Sequence, residues 1–89
     1  MSNFEDVFRA IAHRTRREIL TLLHSRQTEL SSGEISGRFP LTWATLCSHL
    51  EILVRARLVK KRKAGREVFY ALNPQRLKGV VRTWVDSFD

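Results

Sequence analysis

Residues 42–55 read Thr42-Trp43-Ala44-Thr45-Leu46-Cys47-Ser48-His49-Leu50-Glu51-Ile52-Leu53-Val54-Arg55, and the fold turns on how this stretch divides between two faces. Pro40 stops whatever precedes it, because the residue before a proline disfavours the helical region. Thr42 is then placed to cap a helix running from about Trp43 to Ala56. At about 100° per residue, Leu46, Leu50, Leu53 and Arg57 fall on one side, Ala44, Ser48, Glu51 and Arg55 on the other, with Thr45 and Cys47 on the flanks. The leucines make the helix a core element. Its outward half near the start is small and polar, the kind of surface that fits a groove about 12 Å wide where bulky side chains would block approach to base edges.

Upstream, Ser31 or Ser32 followed by Glu34 resembles an N-cap with an acidic first turn, and predicts a short third helix ending near Phe39-Pro40. Gly33 and Gly37 each weaken it by about 0.5 to 1 kcal/mol relative to Ala, so packing must hold it. Ile19, Leu20, Leu22 and Leu23 mark a second helix that fades at His24 and Ser25, followed by a short extended piece, Thr28 to Leu30. Phe4, Val7, Phe8 and Ile11 give a first helix one apolar stripe, with Ser2 or Asn3 as its cap. Downstream, Leu58 to Leu72 forms two extended runs around a Gly-containing turn, which predicts a hairpin with a basic tip. Asn73-Pro74 interrupts the chain, and Leu77, Val80, Val81, Trp84, Val85 and Phe88 stripe a last helix. The expected class is mainly α with a small β-hairpin.

At 89 residues and 43% hydrophobic content, one compact domain spanning 1–89 is expected. Such a chain buries only about 60 to 65% of its unfolded surface, so a partner subunit should help it. The last stripe, about 75–88, is wide for covering one edge of so small a domain and is assigned to subunit contact. The net charge is +7, and residues 31–72 hold most of it, with 8 basic against 3 acidic side chains. That excess points to an anionic partner such as nucleic acid or a membrane surface. A single Cys excludes an intramolecular disulfide, and no apolar run approaches the roughly 18 residues of a membrane span. The first residues lack a signal peptide's pattern, so a cytoplasmic location is expected. Paired catalytic carboxylates, a Cys-His couple and a phosphate-cradling glycine loop are all missing, which makes an enzyme the least supported class.

A helix, a tight turn and a second helix with small polar residues at its start let one helix dock on a nucleic-acid backbone while the next enters the major groove. Lys60, Lys61, Arg62, Lys63 and Arg66 on the adjacent hairpin would neutralise phosphates beside that groove. Three patterns occur in order: Thr15-Arg16-Arg17-Glu18-Ile19-Leu20, then Ser48-His49-Leu50-Glu51-Ile52-Leu53, then Gly65-Arg66 through Tyr70-Ala71-Leu72. Together they resemble the ArsR family of bacterial winged-helix repressors over nearly the whole chain. The resemblance implies a winged helix-turn-helix of order α-α-β-α-α-β-β-α, binding double-stranded DNA at an inverted repeat. It also implies a homodimer joined by its first and last helices, through Phe4, Phe8, Leu77, Val80, Val81, Trp84, Val85 and Phe88.

On that reading Thr42, Trp43, Ala44, Thr45, Cys47, Ser48 and His49 form the recognition surface, and Lys61, Arg62, Lys63 and Arg66 the wing. Trp43 lies near the apolar face and is expected to pack under the helix start, projection toward DNA being the other reading. His49 touches phosphate or plays a hydrogen-bonded structural role; His13 and His24 read as plain surface or helix-end residues. Cys47 reads as a small packing or phosphate-facing residue, with redox control the sharper alternative.

The chain also departs from the family. Metal-sensing members carry paired Cys in the third helix, where residues 29–35 have no thiol, and others use Asp and His on the last helix, where residues 75–89 have no His. No metal and no cofactor are expected, which is similar to the small SdpR-like autorepressor members. His13-Arg14 replaces the family's Asp-Pro, and Arg57 stands where a Gly usually follows the recognition helix, at a cost of about 1 kcal/mol if it turns left-handed. An inducer or antagonist protein would complete the partners. The rival function is an interaction module whose basic face binds an acidic protein partner.

Overall fold

The computed structural model describes residues 4–88, so the cap expected at Ser2 or Asn3 lies outside the described residues. Its elements are α1 (Phe4–Ile11), α2 (Arg14–Arg26), β1 (Leu30–Ser31), α3 (Ser32–Ser36), α4 (Trp43–Arg55), β2 (Val59–Ala64), β3 (Glu67–Leu72) and α5 (Pro74–Asp86). This is the expected order, with several boundaries moved.

The second helix runs past His24 and Ser25 to Arg26, where Gln27 turns left-handed (φ 52°) and its N–H donates to the carbonyls of Leu23 and His24. That αL closure comes from a Gln, a residue with no special propensity for it, which is why composition did not reveal it. The third helix stops at Ser36, well before Phe39-Pro40. A full capping box opens it: Ser31 Oγ accepts from the Glu34 N–H at 3.1 Å, and Glu34 Oε1 accepts from the Ser31 N–H at 3.0 Å. With one glycine inside it, another at its C-cap and little length, one buried residue, Ile35, is what ties it to the core.

The extended piece before α3 shrinks to Leu30–Ser31, but it is paired. Leu30 lies opposite Tyr70 and Ser31 opposite Phe69, so the hairpin becomes a three-stranded antiparallel sheet of order β1-β3-β2. The hairpin register runs from Val59 opposite Leu72 to Ala64 opposite Glu67, and Gly65, with φ 62°, supplies the left-handed residue of its turn.

The core gathers Val7 and Ala10 of α1, Ile19, Leu20 and Leu23 of α2, Ile35 of α3, Leu46, Leu50 and Leu53 of α4, and Val59 and Tyr70 of the sheet. The three α4 leucines sit within 1% of complete burial, as their spacing predicts. Burying each stabilises the fold by roughly 1.5 to 3 kcal/mol, and this fixes the rotation of α4 about its own axis. Val80 of α5 is 3% exposed inside the same core, so it cannot serve the subunit contact expected of it.

Candidate nucleic-acid interface

Thr42 caps α4, its Oγ1 accepting from the Thr45 N–H at 3.2 Å while its own hydroxyl donates to Thr45 Oγ1 at 2.9 Å. That ties off one backbone donor and leaves the Thr45 hydroxyl proton for a partner outside the chain. Ala44, Thr45 and Ser48 are exposed, as the outward stripe requires. Glu51 and Arg55 continue the stripe and pair with each other at 3.3 Å, so the single carboxylate on this face is offset by a neighbouring cation.

Trp43 corrects an expectation. Seven residues before Leu50, it lies within about 20° of that buried leucine around the helix, which favours packing. It is nevertheless 54% exposed, because it is the first helical residue and the core ends a turn later at Leu46. A large aromatic thus stands at the leading end of α4, beside Thr42. Cys47 is half-buried; its neighbour Tyr70 has its phenol pushed up by burial and further by Cys47 and Glu51.

His49 faces inward toward α2 rather than along the outward stripe. An Arg16 guanidinium nitrogen donates to its Nδ1 at 3.3 Å, and the His13 ring packs against it at a tilt of 52° with centroids 4.6 Å apart. Burial first, then the nearby His13 and Arg16, hold the His49 imidazole below its ordinary 6.5. His13 is exposed and sits at a helix end, as expected: it is the N-cap of α2, its Nδ1 accepting from the Thr15 N–H at 3.1 Å.

Arg16 was missed at the sequence level. Its Nε donates to the Ala10 carbonyl at 2.7 Å and another nitrogen to the Arg9 carbonyl at 3.0 Å, while Arg17 donates to the Ile11 carbonyl at 2.8 Å. The two arginines thus satisfy the open carbonyls at the end of α1, a duty that helix ends often give to a glycine cap. The Thr15-Arg16-Arg17 run was the available signal, but nothing in its spacing shows which carbonyls lie within reach.

The wing cations divide by pleat. Residues opposite one another share a face, so Lys61 and Lys63 lie with Tyr70 and Val68 on the side that continues the buried face and on which α4 packs against β2. Both lysines are exposed, as is Arg66 beside the turn. Arg62 points to the other side. Its guanidinium grips both carboxylate oxygens of Glu29, with Nε to Oε2 at 3.1 Å, and lies 4.8 Å from the Phe69 ring centroid. The hydrogen bond from Arg62 holds the Glu29 carboxyl below the usual carboxylate range. Arg62, expected to meet phosphate, is engaged in the free chain with an acid, and it fastens β2 to the residue that leads into β1.

α1, α5 and the residues just after α5 carry an aromatic ladder. Phe8 meets Trp84 edge-on at 5.5 Å, and Trp84 meets Phe88 edge-on at 5.3 Å. Phe4, Trp84, Val85 and Phe88 are exposed, Phe88 at 70%, while Phe8, Leu77 and Val81 are half-buried. Among the described residues no group of three or more His, Cys, Asp or Glu is placed to hold a metal ion, and no helix is long and apolar enough to cross a membrane.

A family model described as "Helix-turn-helix domain" matches residues 11–62, more than half of the chain and the stretch from the end of α1 into the wing. An ArsR-like transcriptional regulator from Rhodococcus sp. RHA1 superimposes with a TM-score of 0.79 at 31% identity, covering 93% of this chain and 76% of that one. The chain belongs to the ArsR family of helix-turn-helix transcriptional regulators. Its curated relatives within reach of the ArsR fold include the transcriptional repressor SdpR of Bacillus subtilis, 31% identical over 83 residues that cover 93% of this chain and 89% of SdpR. The transcriptional activator HlyU of Vibrio cholerae is 37% identical over 75 residues, 84% of this chain and 68% of HlyU.

Proposed function

We propose that the chain is a homodimeric, sequence-specific repressor that reads the major groove of double-stranded DNA with α4 and clamps the flanking backbone with its wing. The observation that carries this reading is that Ala44, Thr45 and Ser48 are exposed on α4 while Lys61 and Lys63 are exposed on β2, the strand that α4 packs against. Small polar side chains admit the helix to base edges, and the cations meet the phosphates beside it. Thr42 and Trp43 at the leading end meet the backbone, Arg66 extends the wing, and Cys47 and His49 support the helix from its flanks.

The dimer contact runs through Phe4, Trp84, Val85 and Phe88, with Phe8, Leu77 and Val81 behind them, so the chain acts as one winged unit ending in a dimerisation helix over about 75–88. A two-fold axis then sets the two recognition helices about one helical turn of DNA apart, or a multiple of it, and the operator is an inverted repeat. Occupying promoter DNA is enough to repress, which fits SdpR's description as a repressor. A regulator of this kind works beside the chromosome, in the cytoplasm.

Selection of bound duplexes from a random pool tests the reading directly. The expected product is a two-fold symmetric motif whose preference changes with Ser48→Ala, and a reporter carrying that motif at its promoter falls when the protein is expressed. A pool that yields no preferred duplex would overturn it.

A further inference from the structure

The contact among His13, Arg16 and His49 is a polar junction set apart from the outward stripe of α4. It joins three elements: His13 is the cap of α2, Arg16 lies in its first turn and reaches back to the end of α1, and His49 is on α4. We propose that Arg16 is a positioning residue of the recognition helix, acting through a neutral His49 packed against the His13 ring, so that proton uptake by His49 releases α4 and weakens DNA binding. The proposal rests on the reading of α4 as the DNA-binding helix.

Arginine can only donate, so the bond to His49 requires a lone pair on Nδ1. The bond from the Thr15 N–H makes the same demand on His13. Both rings must therefore carry their proton on Nε2 alone. A second proton on His49 turns its Nδ1 into a donor facing the Arg16 donor. It also places a cation against Arg16 and against the other ring, whose centroid is only 4.6 Å away. Like charges at this distance repel, and the half-buried site of His49 leaves little water to screen them. From α1, Asp6 and Arg9 line the cleft that Arg16 also lines, and from α4, Arg55 and Ile52. The charged groups that bear on His49 are His13 and Arg16, both of which disfavour its protonation after burial has done so.

Losing the junction frees the middle of α4 from α2 while its leucines remain in the core. The consequence is a helix less well fixed in direction, which costs affinity because base contacts need a set geometry. The alternative physical outcome has the opposite sign: imidazolium rings near DNA would attract phosphate and strengthen binding on acidification.

The test uses the full chain and the duplex enriched by selection, with binding followed by fluorescence anisotropy at pH 7.5 and 5.5 at constant ionic strength. The expected result is a severalfold fall in affinity between the two, less than about tenfold because His49 is held below 6.5 and takes up only part of one proton in that window. His49→Asn keeps an oxygen acceptor in the place of Nδ1 and does not titrate, so the ratio of its affinities at the two pH values approaches one. His24→Asn, on the one remaining histidine of the chain, keeps the wild-type ratio. On the free protein, ring nitrogen NMR shows Nε2-protonated tautomers for His13 and His49, and His13→Asp raises the pKa of His49. A wild-type affinity that is flat or rises on acidification overturns the proposal, as does a fall that survives in His49→Asn. A chain that binds no duplex at pH 7.5 overturns the DNA-binding reading instead, while the ring titrations still decide whether the junction exists.

Discussion

The side-chain amide of Asn73 donates to the carbonyl of Arg57 at 3.0 Å, and Arg57 is the residue that turns left-handed, with φ 64°, between α4 and β2. The backbone N–H of Asn73 also donates to the Leu58 carbonyl at 2.8 Å. One asparagine thus holds the exit of the recognition helix from both sides, at the point where the chain enters the wing.

A left-handed arginine costs on the order of 1 kcal/mol that glycine would not incur. Arg57→Gly is expected to raise stability by about 0.5 to 1 kcal/mol, and Asn73→Ala to lower it by about 1 kcal/mol through the lost hydrogen bond. Urea unfolding of the two variants checks both signs; an Arg57→Gly variant less stable than the parent would show that the junction is not strained.

Wing cations on opposite faces of β2 should separate in a salt titration. Arg66→Ala is expected to reduce the slope of log affinity against log salt by about 0.9, one phosphate's share. Arg62→Ala, which removes a cation already joined to Glu29, should change the slope much less and instead lower the stability of the free protein. Exposure limits that pair to a modest contribution. Equal slope changes for the two variants would return Arg62 to the interface.

His49 also links stability to pH. Its folded pKa lies below the ordinary 6.5, so the unfolded chain binds the proton more readily. Stability is accordingly full above about 6.5 and is lost as pH falls through the lower folded value. Glu29 and Glu34, both held below the ordinary 4.5, act in a separate and more acidic window. Thermal melts at pH 7.5, 6.0 and 5.0 should show the first loss in the parent and its absence in His49→Asn.

Trp84→Ser with Phe88→Ser removes much of the exposed aromatic surface of α5 and little of the core, since these side chains are 51% and 70% exposed. Sedimentation should report a dimer for the parent and a monomer for the double variant, which nonetheless keeps its helical spectrum. Losing the second half-site should weaken operator binding by roughly a hundredfold. A double variant that remains dimeric would put the subunit contact elsewhere.

The sequence discloses what periodicity controls. The α4 leucines, the hairpin around Gly65 and the left-handed Arg57 were all readable, because each depends on spacing or on one residue's backbone chemistry. It hides what depends on distant partners. Arg62 looked like its neighbours Lys61 and Lys63, and only the pairing of β1 with β3 brings Glu29 within reach of it. His13 was readable as a helix-end residue, but its ring contact with His49 was not, because that contact joins positions far apart in the chain. Trp43 shows the limit of the helical wheel: the angle was correct, but angle alone says nothing about where the core stops. Val80 failed the other way, since a stripe that is apolar all along its length does not announce which residues face the chain's own interior.

The strand order leaves β2 at the margin of the sheet, with one row of backbone amides and carbonyls open to any other strand. Four successive cations, Lys60 to Lys63, line that margin. Two molecules meeting edge to edge would have to bring these charges together, so the strand resists zippering into fibrils when no duplex covers it. The residues suited to gripping a polyanion therefore also act as gatekeepers against self-aggregation, and trimming them to neutral side chains would expose a sticky edge as well as an uncharged one.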